Sequence, residues 1–161
     1  MSERRIQVEI REATEADRSE VVAVFENAFE IHRDVYRPVG GAAELQDERF
    51  EEGTRLVALV DGQIVGTIQC ANHSGHLHLI GFAVEPGFQR MGIGRRLIEE
   101  AMRLAPEMGH GLVVLETIRE TGNVGIFEKM GFEVVGEKVA DWCESERYEK
   151  VHDVRMERRV S

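Results

Sequence analysis

The chain has 161 residues, with 30 acidic against 20 basic side chains and a formal charge of -10 at pH 7. Hydrophobic residues make up 42%, charged residues 31%, and prolines number only 3, which excludes collagen-like, low-complexity and disordered classes. The negative field argues against nucleic-acid and membrane-surface partners and mildly favours a cationic substrate. Cys70 and Cys143 form no Cys-x-x-Cys pair, and no apolar run approaches the roughly 18 residues of a spanning helix. A reduced, cytoplasmic protein is therefore expected. No linker or repeat divides the chain, so a single domain over residues 1–161 is expected, with homodimerisation left open.

Ile6-Gln-Val-Glu-Ile10 alternates apolar and polar residues as a half-buried strand does. Thr14 and Asp17 make a capping-box pattern, followed at helical spacing by Val21, Val22, Phe25, Ala28, Phe29 and His32. From Ile31 to Glu52 the pattern loosens into a loop and a short polar helix. Leu56–Val60 and Gln63–Cys70 read as strands joined by Asp61-Gly62, a two-residue hairpin turn. A second turn over Asn72-His-Ser-Gly75 leads into a strand at His76–Val84. Glu85-Pro86-Gly87 breaks that strand, and a helix opens near Gly92 with Ile93, Leu97, Ala101 and Leu104 on one stripe.

Pro106 should end or kink this helix because it removes a hydrogen bond to Met102. Leu112–Thr117 is the next strand, so strand, helix and strand demand a parallel pair with a right-handed crossover. Asn123–Met130 reads as a short helix capped by Gly131, and Phe132–Val139 with Val151–Val160 as an antiparallel pair. The fold class expected is α/β (α+β): a mixed, mostly antiparallel central sheet with one parallel strand-helix-strand crossover and helices on both faces.

The chemistry concentrates in Gln89-Arg90-Met91-Gly92-Ile93-Gly94-Arg95-Arg96, between a buried strand and a helix. Glycines at 92 and 94 allow close backbone approach to a ligand, and free amides of the first helical turn favour an anion. Arg90, Arg95 and Arg96 add local positive charge to an acidic protein. Together these parts describe a phosphate or pyrophosphate cradle. The stretch is neither a Walker loop, which needs Gly-Lys-Ser/Thr, nor a Rossmann fingerprint, which needs a third glycine.

Gln89-Arg-Met-Gly92-Ile-Gly94 resembles the Q/R-x-x-G-x-G/A signature of the GCN5-related N-acetyltransferases, the GNAT superfamily. Phe82-Ala-Val84-Glu-Pro86 and Asn123-Val-Gly-Ile-Phe127-Glu-Lys-Met-Gly131-Phe132 fit the same family, as does the order of elements. The resemblance implies acetyl-CoA, or another acyl-CoA, as donor and a small-molecule or peptide amine as acceptor. It implies that backbone amides of Gln89, Arg90, Met91, Gly92, Ile93, Gly94 and Arg95 hold the pyrophosphate. It further implies that Phe82, Ala83 and Val84 pair with the pantetheine arm where the two parallel strands splay, with Asn123 and its helix forming the other wall. Phe127 stands where many members carry the tyrosine that protonates the leaving thiolate; it can pack against the cofactor but has no proton to give. Tyr36 and Tyr148 are candidate replacements.

An ammonium acceptor must lose a proton before it attacks. Counted back from Gly92, His78 falls where members of the family place a base, and a histidine suits that task near neutral pH. The other reading of His78 is a strand histidine satisfied by a neighbour. His76 is either a relay partner or a solvated edge histidine, and Glu116 on the next strand is a further base candidate. The run Cys70-x-x-His73-x-x-His76-x-His78 also raises zinc. A regular hairpin around Asn72–Gly75 sets Ala71 opposite His76 and Cys70 opposite Leu77, which turns Cys70 away from the histidines. With no fourth ligand in view, no metal is expected.

The acceptor end is assigned to the loops 31–45 and 140–150. These carry Asp34, Glu44, Asp141, Glu144 and Glu146, but also Arg33 and Arg37, with Trp142 as a pocket wall or a packing residue. Three functions from different classes are weighed: an acyl-CoA-dependent N-acetyltransferase, which is favoured; a non-catalytic acyl-CoA-binding sensor or regulatory domain, for which the absent tyrosine speaks; and, as the weakest, a metal-dependent protein using the histidine cluster.

Overall fold

In the computed structural model, residues 7–38 and 53–160 are described. A seven-stranded sheet runs in the order β1-β3-β4-β5-β6-β9-β7. Its strands are β1 (Val8–Glu12), β3 (Thr54–Val60), β4 (Gln63–His73), β5 (His76–Val84), β6 (Leu112–Ile118), β7 (Glu133–Val139) and β9 (His152–Arg159). Two short strands, β2 (Arg37–Pro38) and β8 (Cys143–Glu144), pair separately. Among the described residues the α-helices are α1 (Arg18–Glu30), α2 (Ile93–Glu107) and α3 (Asn123–Lys129).

The alternation of β3 decides how the layers stack. Leu56 and Ala58 join Ile93, Leu97, Ile98 and Ala101 of α2 and Val124 and Phe127 of α3 in the larger core. Val57 and Leu59 face the opposite way, onto Val21 and Val24 of α1. Each fully buried aliphatic side chain of this kind contributes about 1.5–3 kcal/mol before conformational entropy is subtracted. The Asp17 carboxylate accepts the Thr14 N–H at 2.7 Å, the expected cap, and opens a single 3-10 turn that runs into α1. Asp61 and Gly62 take φ of 50° and 80°, the pair of left-handed conformations that a tight hairpin needs.

The crossover is as the pattern demands: β5 and β6 are parallel, and every other pairing in the main sheet is antiparallel. Pro106 sits in the last turn of α2, which stops one residue later.

Several details depart from the sequence reading. The first strand begins at Val8 and runs to Glu12, and the polar helix expected before Glu52 falls outside the described residues. The second hairpin turns tightly at Ser74-Gly75, so His73 opposes His76, Ala71 opposes His78 and Cys70 opposes Leu79. Gly75 at φ 87° makes the short turn possible, so β4 runs on to His73, β5 begins at His76 as expected, and the register moves by two residues from that of the looser turn. A shift of two preserves side-chain parity, so Cys70 still faces the core, but His73 now joins the histidine face. The last strand, β9, inserts between β6 and β7, and β2 and β8 arise within stretches read as loop.

Candidate active site

The site begins where β5 and β6 part. Their parallel register covers Leu77↔Val113, His78↔Val114 and Leu79↔Leu115 only. Beyond it β5 stays with β4 as far as Gly66↔Val84, while β6 stays with β9 as far as Ile118↔Asp153. The sheet therefore opens into a V, with the 80–84 edge of β5 on one side and residues 116–118 of β6 on the other. Backbone groups on those two inner edges have no partner in the opposite strand, and this is where an extended ligand can hydrogen-bond.

At the mouth of the V lies the 85–92 loop. Gln89 Nε2 donates to the Val84 carbonyl at 3.1 Å, pinning the loop to the end of β5. Arg90 is held at φ 65°, a conformation that costs a non-glycine residue roughly 1 kcal/mol or more. Gly92 follows at φ 82° as the residue before α2, and a β-carbon there would meet no atom within 4 Å. The first α2 backbone bond is Arg96 N–H to Gly92 O at 3.1 Å, which leaves the amides of Ile93, Gly94 and Arg95 without a helical acceptor. Met91 is half exposed beside them. Space, free donors and the positive helix end coincide, which fits a diphosphate.

Gly94 has another duty from the one expected. A β-carbon at this position would lie 2.8 Å from Phe82 Cζ, so the glycine makes room for that ring. Phe82 in turn meets Phe127 edge-on at 5.7 Å, and Phe127 meets Phe132 at 6.1 Å. These rings join β5, α2 and α3 on the face of the sheet that α2 and α3 cover. Phe127, only 5% exposed, belongs to the core. Ala83 is buried towards α1, and Val84 is buried at the strand end. Asn123 opens α3 half-buried, its N–H held by Thr121 Oγ1 at 3.3 Å.

His78 and Glu116 are brought together at the apex, on the opposite face of the sheet from those rings. His78 Nε2 lies 3.8 Å from Glu116 Oε1, and His78 Nδ1 lies 3.3 Å from His76 Nε2. Burial, assisted by His73 and Arg155, lowers the pKa of His76 below the ordinary histidine value. A residue that sequence reasoning missed, Asp153, is a neighbour of Glu116 and accepts Trp142 Nε1–H at 3.2 Å. Burial and the neighbouring Glu116 raise its pKa. An aspartate between Val151 and Val154 at the start of the last strand was the available signal.

The two loops assigned to the acceptor are tied to each other by β2 and β8. Arg37 reaches Glu144 at 3.4 Å and Arg147 reaches Asp34 at 3.8 Å, so both carboxylates are engaged by the chain's own guanidinium groups. Trp142 packs edge-on against Tyr36 at 5.9 Å. Burial pushes the Tyr36 hydroxyl up to about 12. Tyr148 lies under the Arg147 guanidinium at 5.5 Å, and Glu44 falls outside the described residues.

The sequence pattern of the Acetyltransferase (GNAT) family matches residues 21–132, well over half of the chain. The chain belongs to this family. A similar protein to this GNAT acetyltransferase is peptidyl-lysine N-acetyltransferase YjaB of Salmonella typhimurium, 26% identical over 137 residues, which cover 83% of this chain and 89% of that one. The fold is shared with the ribosomal-protein-S18-alanine N-acetyltransferase of Escherichia coli, at a TM-score of 0.77 and 16% identity over 96% of this chain and 95% of that one. It is shared equally with the PaiA N-acetyltransferase of Thermoplasma acidophilum, solved in complex with coenzyme A, at a TM-score of 0.75 and 16% identity over 96% and 99% of the two chains.

Proposed function

We propose that this GNAT acetyltransferase is an acyl-CoA-dependent N-acetyltransferase of the cytoplasm, with the whole 1–161 chain acting as one catalytic domain. The reading rests on the V between β5 and β6 opening beside the free amides of α2. Bound acetyl-CoA supplies an activated thioester carbonyl. The amides from Gln89 to Arg95 hold its diphosphate, the 82–84 edge of β5 aligns its pantetheine arm, and Asn123 with α3 walls the other side. Phe127 supports this wall from within the core through Phe82.

The acceptor is a primary amine of a peptide or small molecule. Peptide acceptors fit the names of the YjaB and S18-alanine relatives, and a cationic amine fits the charge of -10. His78 takes the proton of the incoming ammonium at Nε2, with Nδ1 held by His76. Glu116 steadies the imidazolium so formed from 3.8 Å. The leaving thiolate, whose conjugate acid has a pKa near the free-thiol value of about 8.5, departs without a protein-bound tyrosine donor.

Calorimetric titration with coenzyme A tests the cradle, and release of free thiol from acetyl-CoA across a panel of peptide and small amines tests transfer. Tight binding with thiol release is the expected result. Tight binding with no release from any amine would favour a sensor of acyl-CoA, and no binding would remove the reading altogether.

A further inference from the structure

Three imidazoles meet on the sheet face opposite α2 and α3. The tight Ser74-Gly75 turn sets His73 directly across from His76, and strand periodicity puts His78 on the same side. Ring centroids are 5.2 Å apart for His73 and His76, 4.9 Å for His73 and His78, and 5.5 Å for His76 and His78. One ring nitrogen from each lies within 4.8 Å of the other two. Opposite His78 stands Ala71, whose small side chain leaves the centre of the group clear.

We propose that His73, His76 and His78 form a binding site for one divalent d-block cation, of which zinc is the representative. A tetrahedral ion bonded to imidazole nitrogens at 2.0–2.1 Å separates its ligands by about 3.4 Å. His76 Nε2 and His78 Nδ1 already stand at 3.3 Å, and rotation of His73 closes the remaining two edges. With Nδ1 of His78 on the metal, its Nε2–H points to Glu116, the carboxylate partner that orients a metal-bound histidine. The fourth position is left to water. An all-imidazole donor set selects zinc, copper, nickel or cobalt and rejects magnesium and calcium, which need oxygen ligands.

The site itself is independent of acetyl transfer. One consequence rests on that reading: a cation on Nδ1 confines the remaining proton of His78 to Nε2, the atom assigned to accept the ammonium proton. An occupied site and a working base then exclude each other.

The test uses the whole chain freed of metal by chelation, with neither coenzyme A nor amine present. Cobalt(II) is titrated while its visible d–d absorption is followed, and zinc is then added to displace it. The expected result is one equivalent of tetrahedral cobalt, displaced by zinc, with no response to magnesium. His73→Gln and His76→Gln should each weaken binding by at least about tenfold, and Glu116→Gln by about tenfold. His110→Gln, outside the triad, should bind as the parent does. Circular dichroism confirms that each variant is folded. Absence of saturable binding, or a His73→Gln variant that binds as tightly as the parent, would overturn the site.

Discussion

His78, one rung before the end of the parallel pair, faces Glu116, with Nε2 and Oε1 3.8 Å apart. Leu79↔Leu115 is the final paired position, so Glu116 is the first residue of β6 beyond the join. The same divergence that makes room for an extended ligand therefore sets a titratable pair at its inner end. If His78 is the proton acceptor, His78→Ala assayed in a chelator lowers turnover roughly 100- to 10,000-fold. Coenzyme A affinity stays unchanged, because the cradle lies on the loop before α2. Thiol release and calorimetry measure the two quantities separately, and an unaltered turnover removes His78 from the mechanism.

Metal removal gives a second prediction. Chelation should raise acetyl transfer in preparations that carry zinc, and added zinc should lower it again. His73→Gln should stay active in chelator and resist zinc inhibition, since His73 touches the histidine group but has no part in proton transfer. Rates measured across a zinc titration decide the matter, and equal inhibition of parent and variant would contradict it.

Gly94 and Phe82 make a pair whose coupling can be measured. Gly94→Ala puts a methyl 2.8 Å from the Phe82 ring and should cost about 1–3 kcal/mol. Phe82→Leu opens that space, so the double variant should be more stable than the sum of the single losses, with a coupling of at least about 0.5 kcal/mol. Urea unfolding of the four proteins provides the cycle. Strict additivity would show that the ring does not press on the helix start.

Asp17 offers a pH signature. The Arg11 guanidinium, then the Thr14 amide, hold its carboxyl well below the ordinary value of 3.8. A depressed folded pKa means stabilisation that is complete above the unfolded value and lost as pH falls through the folded one. Asp17→Ala should therefore lose about 1 kcal/mol at pH 7 through the missing cap. The exposed Arg11 adds little to this. The gap to the parent should close as the pH is lowered below about 4, and urea midpoints at pH 7, 5 and 3 follow it.

Local chemistry made much of this molecule readable in one dimension. Asp61-Gly62 announced its hairpin because only a few residue types tolerate two left-handed conformations in succession. The strand-helix-strand order from His76 to Thr117 dictated a parallel pair, since a crossover of that length has one favoured hand. The free amides at the first turn of α2 were legible because unpaired donors at a helix start are a property of the backbone. The purpose of Gly94 was not legible, because the ring that needs its space comes from Phe82, twelve positions earlier.

What depended on distant partners stayed hidden until the chain was folded. A two-residue difference in the turn after β4 leaves every side chain on its expected face, so alternation alone cannot reveal it, yet it brings His73 to His76. Insertion of β9 between β6 and β7 delivers Asp153 to Glu116, a meeting that no local spacing encodes. The sequence by itself determined the main strands and helices, the crossover and the free amides at the start of α2, all of which follow from neighbours within a turn, a hairpin or one crossover. Only the tertiary structure decided which titratable groups share the apex of the V, because strand register and strand order bring together residues dozens of positions apart.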